Sequence, residues 1–190
     1  MTFTSGLASF TPAGPQGAAQ PVIAPFFADV DTRGELSGVV HLNQVVSNQT
    51  VVTWDHVGYF GAHDNLLNTF QLIVRGPDYA VPVGEGQIGF YWNTMGWETG
   101  DASGGSGGFG GTPAAVGFGD GQNDGFILQG STTNGISRIV NNKFLWFNLN
   151  AQGEPVPVPV NPVPEPGTYA LMLAGLAVLG VVGRRRKARG

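Results

Sequence analysis

Four carboxylates and two indoles are the residues of this chain most able to do chemistry. Asp29 and Asp31 form an Asp-x-Asp in ADVDTRG, residues 28–34. On a strand, positions i and i+2 share a face, so the two carboxylates converge, with Arg33 beside them. One reading is a Ca²⁺ site of hard oxygen ligands, joined by Glu98 and Asp101. The other is an Asp–Arg ion-pair ladder that fixes a strand edge, and the position of Arg33 favours it. Trp92 and Trp97 bracket a turn, where they serve either as a stacking platform for a sugar ligand or, the commoner use, as core. Glu98 and Asp101 are also the one carboxylate pair to test in a polysaccharide-cleaving enzyme.

The remaining motifs point away from catalysis. DGQNDG (120–125) resembles the start of a calcium loop, but Gln122 and Ser131 stand at the third and twelfth positions, where that loop needs Asp or Asn and then Glu. An Asx-turn is the better reading. His41, His56 and His63 have no helical metal-pair spacing. Ser106 meets the bare G-x-S-x-G spacing in Gly104-Gly105-Ser106-Gly107-Gly108, but it lies in a glycine-dense run with no βαβ pattern around it, which gives a hydrolase nucleophile no support. GGSGGFGG also lacks the Gly-Lys-Ser/Thr of a phosphate loop. The chain has no cysteine, which removes disulfides, thiolate metal sites and thiol catalysis. The reading is a non-enzymatic protein with no required cofactor and calcium as an optional ion.

The elements that position these residues read as strands. TFQLIVR (69–75) sends Phe70, Leu72 and Val74 to one face, and QIGFYW (87–92) does the same with Ile88, Phe90 and Trp92. TVVTWDHVGYF, GVVHLNQVV, GFILQ and KFLWFNL are similarly rich in β-branched and aromatic residues. Short Gly, Asn and Asp breaks separate them, as antiparallel strands require. The fold class is mostly β: an antiparallel β-sandwich-like domain over residues 1–150. The glycine-dense segment 100–121 is either a flexible loop or a set of tight turns at positive φ. Residues 151–163 alternate Pro with Val and read as a polyproline-like linker rather than a strand.

The tail, residues 164–190, has a different character. Its apolar run, 168–183, spans about 24 Å as a helix, short of the roughly 30 Å hydrocarbon core, so it reads as one short C-terminal transmembrane helix. Tyr169 would mark one interface, and Arg184, Arg185, Arg186 and Lys187 the other. Charge follows the same division. Four basic and twelve acidic residues precede Pro164, whereas five basic and one acidic follow from it. An acidic body is unsuited to nucleic acid. The basic cluster stays on the cytoplasmic side, which puts the body outside. That orientation demands the export machinery, yet residues 1–25 show no basic n-region with an apolar run. The expectation is a natural start upstream of Met1.

Two resemblances give these segments a family. Pro164-Glu165-Pro166, the run containing Ala170, Leu171, Gly175 and Leu176, and Arg184-Arg185-Arg186 resemble the PEP-CTERM sorting signal of Gram-negative bacteria. The resemblance implies recognition and cleavage by an exosortase, brief anchoring in the inner membrane, and release to the surface or matrix alongside exopolysaccharide. The body resembles a nidogen-like (NIDO) domain in APFFADVDTRG (24–34), TWDHVGYF (53–60), NTFQLIV (68–74) and MGWETGDASGGSGGFGGTPAAVGFGDG (95–121), over roughly residues 2–148. That family implies an extracellular adhesive or matrix role without catalysis. The alternatives are a carbohydrate-binding module or, less favoured, a polysaccharide-active enzyme.

Overall fold

Runs of alternating side chains build this molecule, and the strands follow them closely. The computed structural model describes residues 1–159 apart from positions 13 and 123, with Met1–Val158 as one compact unit. Among the described residues the strands are β1 (Pro21–Phe27), β2 (Val30–Asp31), β3 (Val40–Asn43), β4 (Gln49–Tyr59), β5 (His63–Arg75), β6 (Ile88–Met95), β7 (Ala115–Asp120), β8 (Gly125–Ile127), β9 (Lys143–Leu149) and β10 (Pro155–Pro157). One short helix, α1 (Ile136–Val140), precedes β9. All the pairings are antiparallel.

The strands form two sheets. The smaller runs β1-β7-β8; the larger runs β10-β9-β6-β5-β4-β2, with β3 also on β4. Period-two alternation sends Phe70, Leu72, Phe90 and Phe147 to the inner face of the large sheet, where each is at most 1% exposed. Ile23, Phe26, Val116 and Phe118 of the small sheet meet them. Phe118 stacks on Phe90 with ring centroids 5.1 Å apart and stands edge-on to Phe147 at 4.7 Å. Phe26 meets Phe70 at 5.5 Å and Trp97 at 5.8 Å. Aromatic pairs of this spacing add to the burial of their area. Ile136 and Val140 of α1 are buried in the same core.

The glycine-dense segment resolves into tight turns followed by β7. Gly108 shows why glycine is required there. Its φ is +89°, and a Cβ would lie 2.9 Å from that of Trp97. This close approach lets the Gly108 carbonyl accept from both the Glu98 and Thr99 amides, at 2.9 and 3.0 Å.

The start of the Pro/Val-rich stretch differs from the linker expected of it. Pro155–Pro157 form β10 at the edge of the large sheet, and the compact unit runs to Val158 rather than ending at 150. The reason is positional. Val156 lies opposite Asn148, and Val158 donates its amide to Trp146 O at 2.8 Å. Pro155 and Pro157 alternate with these residues, so their missing donors face away from β9, as an edge strand allows. Among the described residues no helix is long and apolar enough to cross a membrane. The run 168–183 lies outside them, as do Pro164, Glu165, Pro166, Arg184, Arg185 and Arg186.

Candidate functional site

Asp29, Asp31 and Asp101 gather around the tip of the β4–β5 hairpin. Tyr59 pairs with His63 across a three-residue turn, and their rings stack at 4.7 Å. Asp31 is buried and grips this tip. It accepts from the Arg33 amide at 3.0 Å, from Arg33 Nε at 2.8 Å and from the Ala62 amide at 2.9 Å. The Arg33 guanidinium, followed by these amides, outweighs the cost of burial and holds the Asp31 carboxyl well below the usual carboxylate range. Asp101 meets His63 Nε2 at 2.8 Å from the other side.

Asp29 is the exception. Its carbonyl accepts from the Phe60 amide at 2.9 Å, but its Oδ2 is buried with no hydrogen-bond partner among the described residues. Burial, reinforced by the charge of Asp31, raises its pKa. Two aspartates separated by one residue are therefore driven in opposite directions.

Glu98 does not join them. It is 2% exposed, and both its oxygens are engaged at the start of α1. Oε1 accepts from the Gly135 amide at 2.8 Å; Oε2 accepts from the Ser137 amide at 3.0 Å and the Ser137 hydroxyl at 2.9 Å. A carboxylate here satisfies amides that the helix cannot pair internally. Of the expected calcium set, Asp31 is thus engaged by Arg33, Asp101 by His63 and Glu98 by the start of α1, while Asp29 Oδ2 stays without a partner among the described residues. Among the described residues no group of three or more His, Asp or Glu is placed to hold a metal ion. His41 lies on the exposed strand β3, and His56 contacts the neighbouring Asp55 carboxylate.

The two indoles singled out from the sequence are core, not platform. Trp92 and Trp97 are 3% and 0% exposed. Each donates its Nε1 hydrogen to a buried carbonyl, Trp92 to Pro25 O at 2.9 Å and Trp97 to Val57 O at 3.0 Å. The opposite face of the sheet carries aromatic residues that no motif in the sequence marks. Tyr91 and Phe144 pair across β6 and β9 with their rings 5.7 Å apart and inclined by 22°. Alternation held the signal: if Ile88, Phe90 and Trp92 point inward, Tyr91 must point outward. Trp146 also lies on this outer face, beneath Arg75, whose guanidinium is 4.5 Å from the Trp146 ring and 4.6 Å from that of Tyr79.

Comparison with known families assigns the body. The nidogen-like domain model matches residues 43–155, more than half of the chain. The chain belongs to the nidogen-like domain family. Strands β4 to β9, Glu98 and the outer aromatic pair all fall within this match, while Asp29 and Asp31 precede it. A second model, the PEP-CTERM protein-sorting motif, matches residues 162–187. The nidogen-like chain is therefore an exported, sorted protein processed by an exosortase. No curated protein and no solved structure matches the chain.

Proposed function

We propose that this protein is a non-enzymatic component of the cell surface or extracellular matrix, acting in cell–matrix adhesion or in an exopolysaccharide-associated structural role. The observation that carries this reading is a nidogen-like domain and a sorting motif on one chain, at residues 43–155 and 162–187. In this reading the apolar run 168–183 anchors the chain briefly in the inner membrane with the body outside. Exosortase then cleaves near Pro164-Glu165-Pro166, and the released domain is retained with extracellular polysaccharide or another matrix partner. Support for a role without catalysis comes from Glu98, whose two oxygens are engaged by Gly135 and Ser137 and are poorly placed to exchange a proton with a substrate.

The test is to replace Pro164, Glu165 and Pro166 together by alanine in the native host. The variant should accumulate at its uncleaved mass in the membrane fraction and be lost from the matrix fraction, and cell attachment should fall to the level of a deletion strain. Normal processing of the variant would overturn the sorting step. Normal attachment in the deletion strain would overturn the adhesive role.

A further inference from the structure

The outer face of the large sheet carries a shallow cleft of about 340 Å³ over β5, β6 and β9. Strand register places Thr53, Gln71, Tyr91 and Phe144 in one row across four strands. Neighbouring strands lie about 4.8 Å apart, so the row offers a side chain at each such step. Asn93 and Asn142 line the cleft beside Tyr91 and Phe144. Gln71 Nε2 donates to Thr53 Oγ1 at 2.8 Å, which fixes the orientation of its amide. Trp146 stands edge-on to Tyr91 at 5.4 Å and helps to hold that ring in place.

The row contains no charged side chain. Lys143 touches the rim, but it pairs with Trp92, whose ring is in the core, so its Cβ leaves the strand on the side opposite Phe144. The contrast is with a body that carries twelve acidic and four basic residues before Pro164. The nearest charges on this face, Arg75 and Glu85, are paired with each other at 2.6 Å at the Trp146 end. A row that joins aromatic rings to amides without a charge of its own complements an uncharged ligand with C–H faces for the rings and hydroxyls for the amides. A neutral polysaccharide has both. A purely apolar partner would bury the amides unpaired, at a cost for each. A polyanion would find no cation in the row and be repelled by the acidic body.

We infer that the Thr53–Gln71–Tyr91–Phe144 row is a binding site for a neutral hexose polymer, with sugar faces on Tyr91 and Phe144 and hydroxyls on Gln71, Asn93 and Asn142. The inference rests on the extracellular reading above, because it requires the body to meet glycans outside the cell.

The experiment uses the full chain in detergent, run through native gels containing a soluble β-glucan, a galactomannan or a polygalacturonate. At least one neutral polymer should retard it, and polygalacturonate should bind more weakly. Titration calorimetry with the retarding polymer should show affinity about tenfold weaker in Phe144→Ala and in Tyr91→Ala. Leu42→Ser, at an exposed position on β3, should bind as the parent does. Phe144 is 49% exposed, so its variant should keep the parental melting temperature and isolate binding from folding. Undiminished binding in both aromatic variants would overturn the site. So would retardation by polygalacturonate alone, which the basic C-terminal residues would explain, or retardation by none of the polymers. Surface fractionation of the same chain separates the two failures: a protein found outside the cell but lacking glycan affinity refutes the site and leaves the extracellular reading standing.

Discussion

Phe90 and Tyr91 are adjacent on β6 and point to opposite faces of one sheet. Phe90 is fully buried, with Phe118 and Phe147 around it. Tyr91 and its partner Phe144 lie on a face that β1 and β7 do not cover, and Phe144 stays 49% exposed. Both faces carry aromatic side chains, so composition does not distinguish them. What separates them is what packs on top. On the inner face it is a second sheet. On the outer face the cover is at the Trp146 end, where Arg75 lies between Trp146 and Tyr79 and reaches Glu85 Oε2 at 2.6 Å. The same side-chain type thus works as core on one side and as an available surface on the other.

The largest expected effect comes from removing the inner member of this pair. Phe90→Ala should cost about 3–5 kcal/mol in urea unfolding. Tyr91→Ala should cost less than about 1 kcal/mol, since nothing is sealed over it. Equal losses would mean that the outer face is covered in solution. A contrast of the same kind, satisfied against unsatisfied, separates Asp31 from Asp29. Asp31→Asn should destabilise by about 1.5–3 kcal/mol at neutral pH, because it weakens charge-assisted bonds to a buried group. Its depressed pKa means that this contribution is complete above about pH 4 and is lost as pH falls toward the folded value. The penalty of the substitution should therefore shrink in acid.

Gly89→Ala probes the outer face from beneath. Gly89 lies opposite Trp146, and a Cβ there would sit 2.3 Å from Cζ3 of that ring. Lifting the ring should cost about 1–3 kcal/mol and, if the glycan site is correct, also weaken polymer binding through Tyr91. Asp29→Asn should do the reverse of Asp31→Asn, stabilising the fold at neutral pH by about 1 kcal/mol, because it removes a charge whose Oδ2 is buried without a partner. Because the Asp29 pKa is raised, its contribution is complete below about pH 4 and is lost as pH rises through the folded value, so the gain should fade in acid. The smallest expected effect is that of EGTA, which should leave the melting temperature within about 1 °C, since a tightly held ion would shift it by mass action. A larger shift would restore a calcium site at Asp29.

Much of the fold is legible because strand alternation is local. The inward positions of Phe70, Leu72, Ile88, Phe90 and Trp92 follow from the two-residue period, as does the antiparallel class. The proline alternation after 154 misleads for an equally local reason. Proline removes a donor, but at every second residue it removes only the outward row, and β10 pairs through Val156 and Val158. The candidate site was less legible. An Asp-x-Asp suggests convergence, yet the outcome depended on Ala62, thirty-one residues away, and on Arg33. Glu98 answers to Gly135 and Ser137, which no spacing near Glu98 reveals.

The sequence by itself determined the strands, which residues share a face, the acidic body and the sorted tail, because each depends on neighbouring residues or on summed charge. Tertiary structure decided which face is closed and which stays open, that Trp92 and Trp97 are core while Tyr91 and Phe144 are not, and that the carboxylates part company. Those outcomes turn on strands far apart in the chain: β1 and β7 come from either side of the β4–β6 run and cover only one face of its sheet. Local periodicity can divide residues between two faces, but only long-range packing chooses the one that meets water.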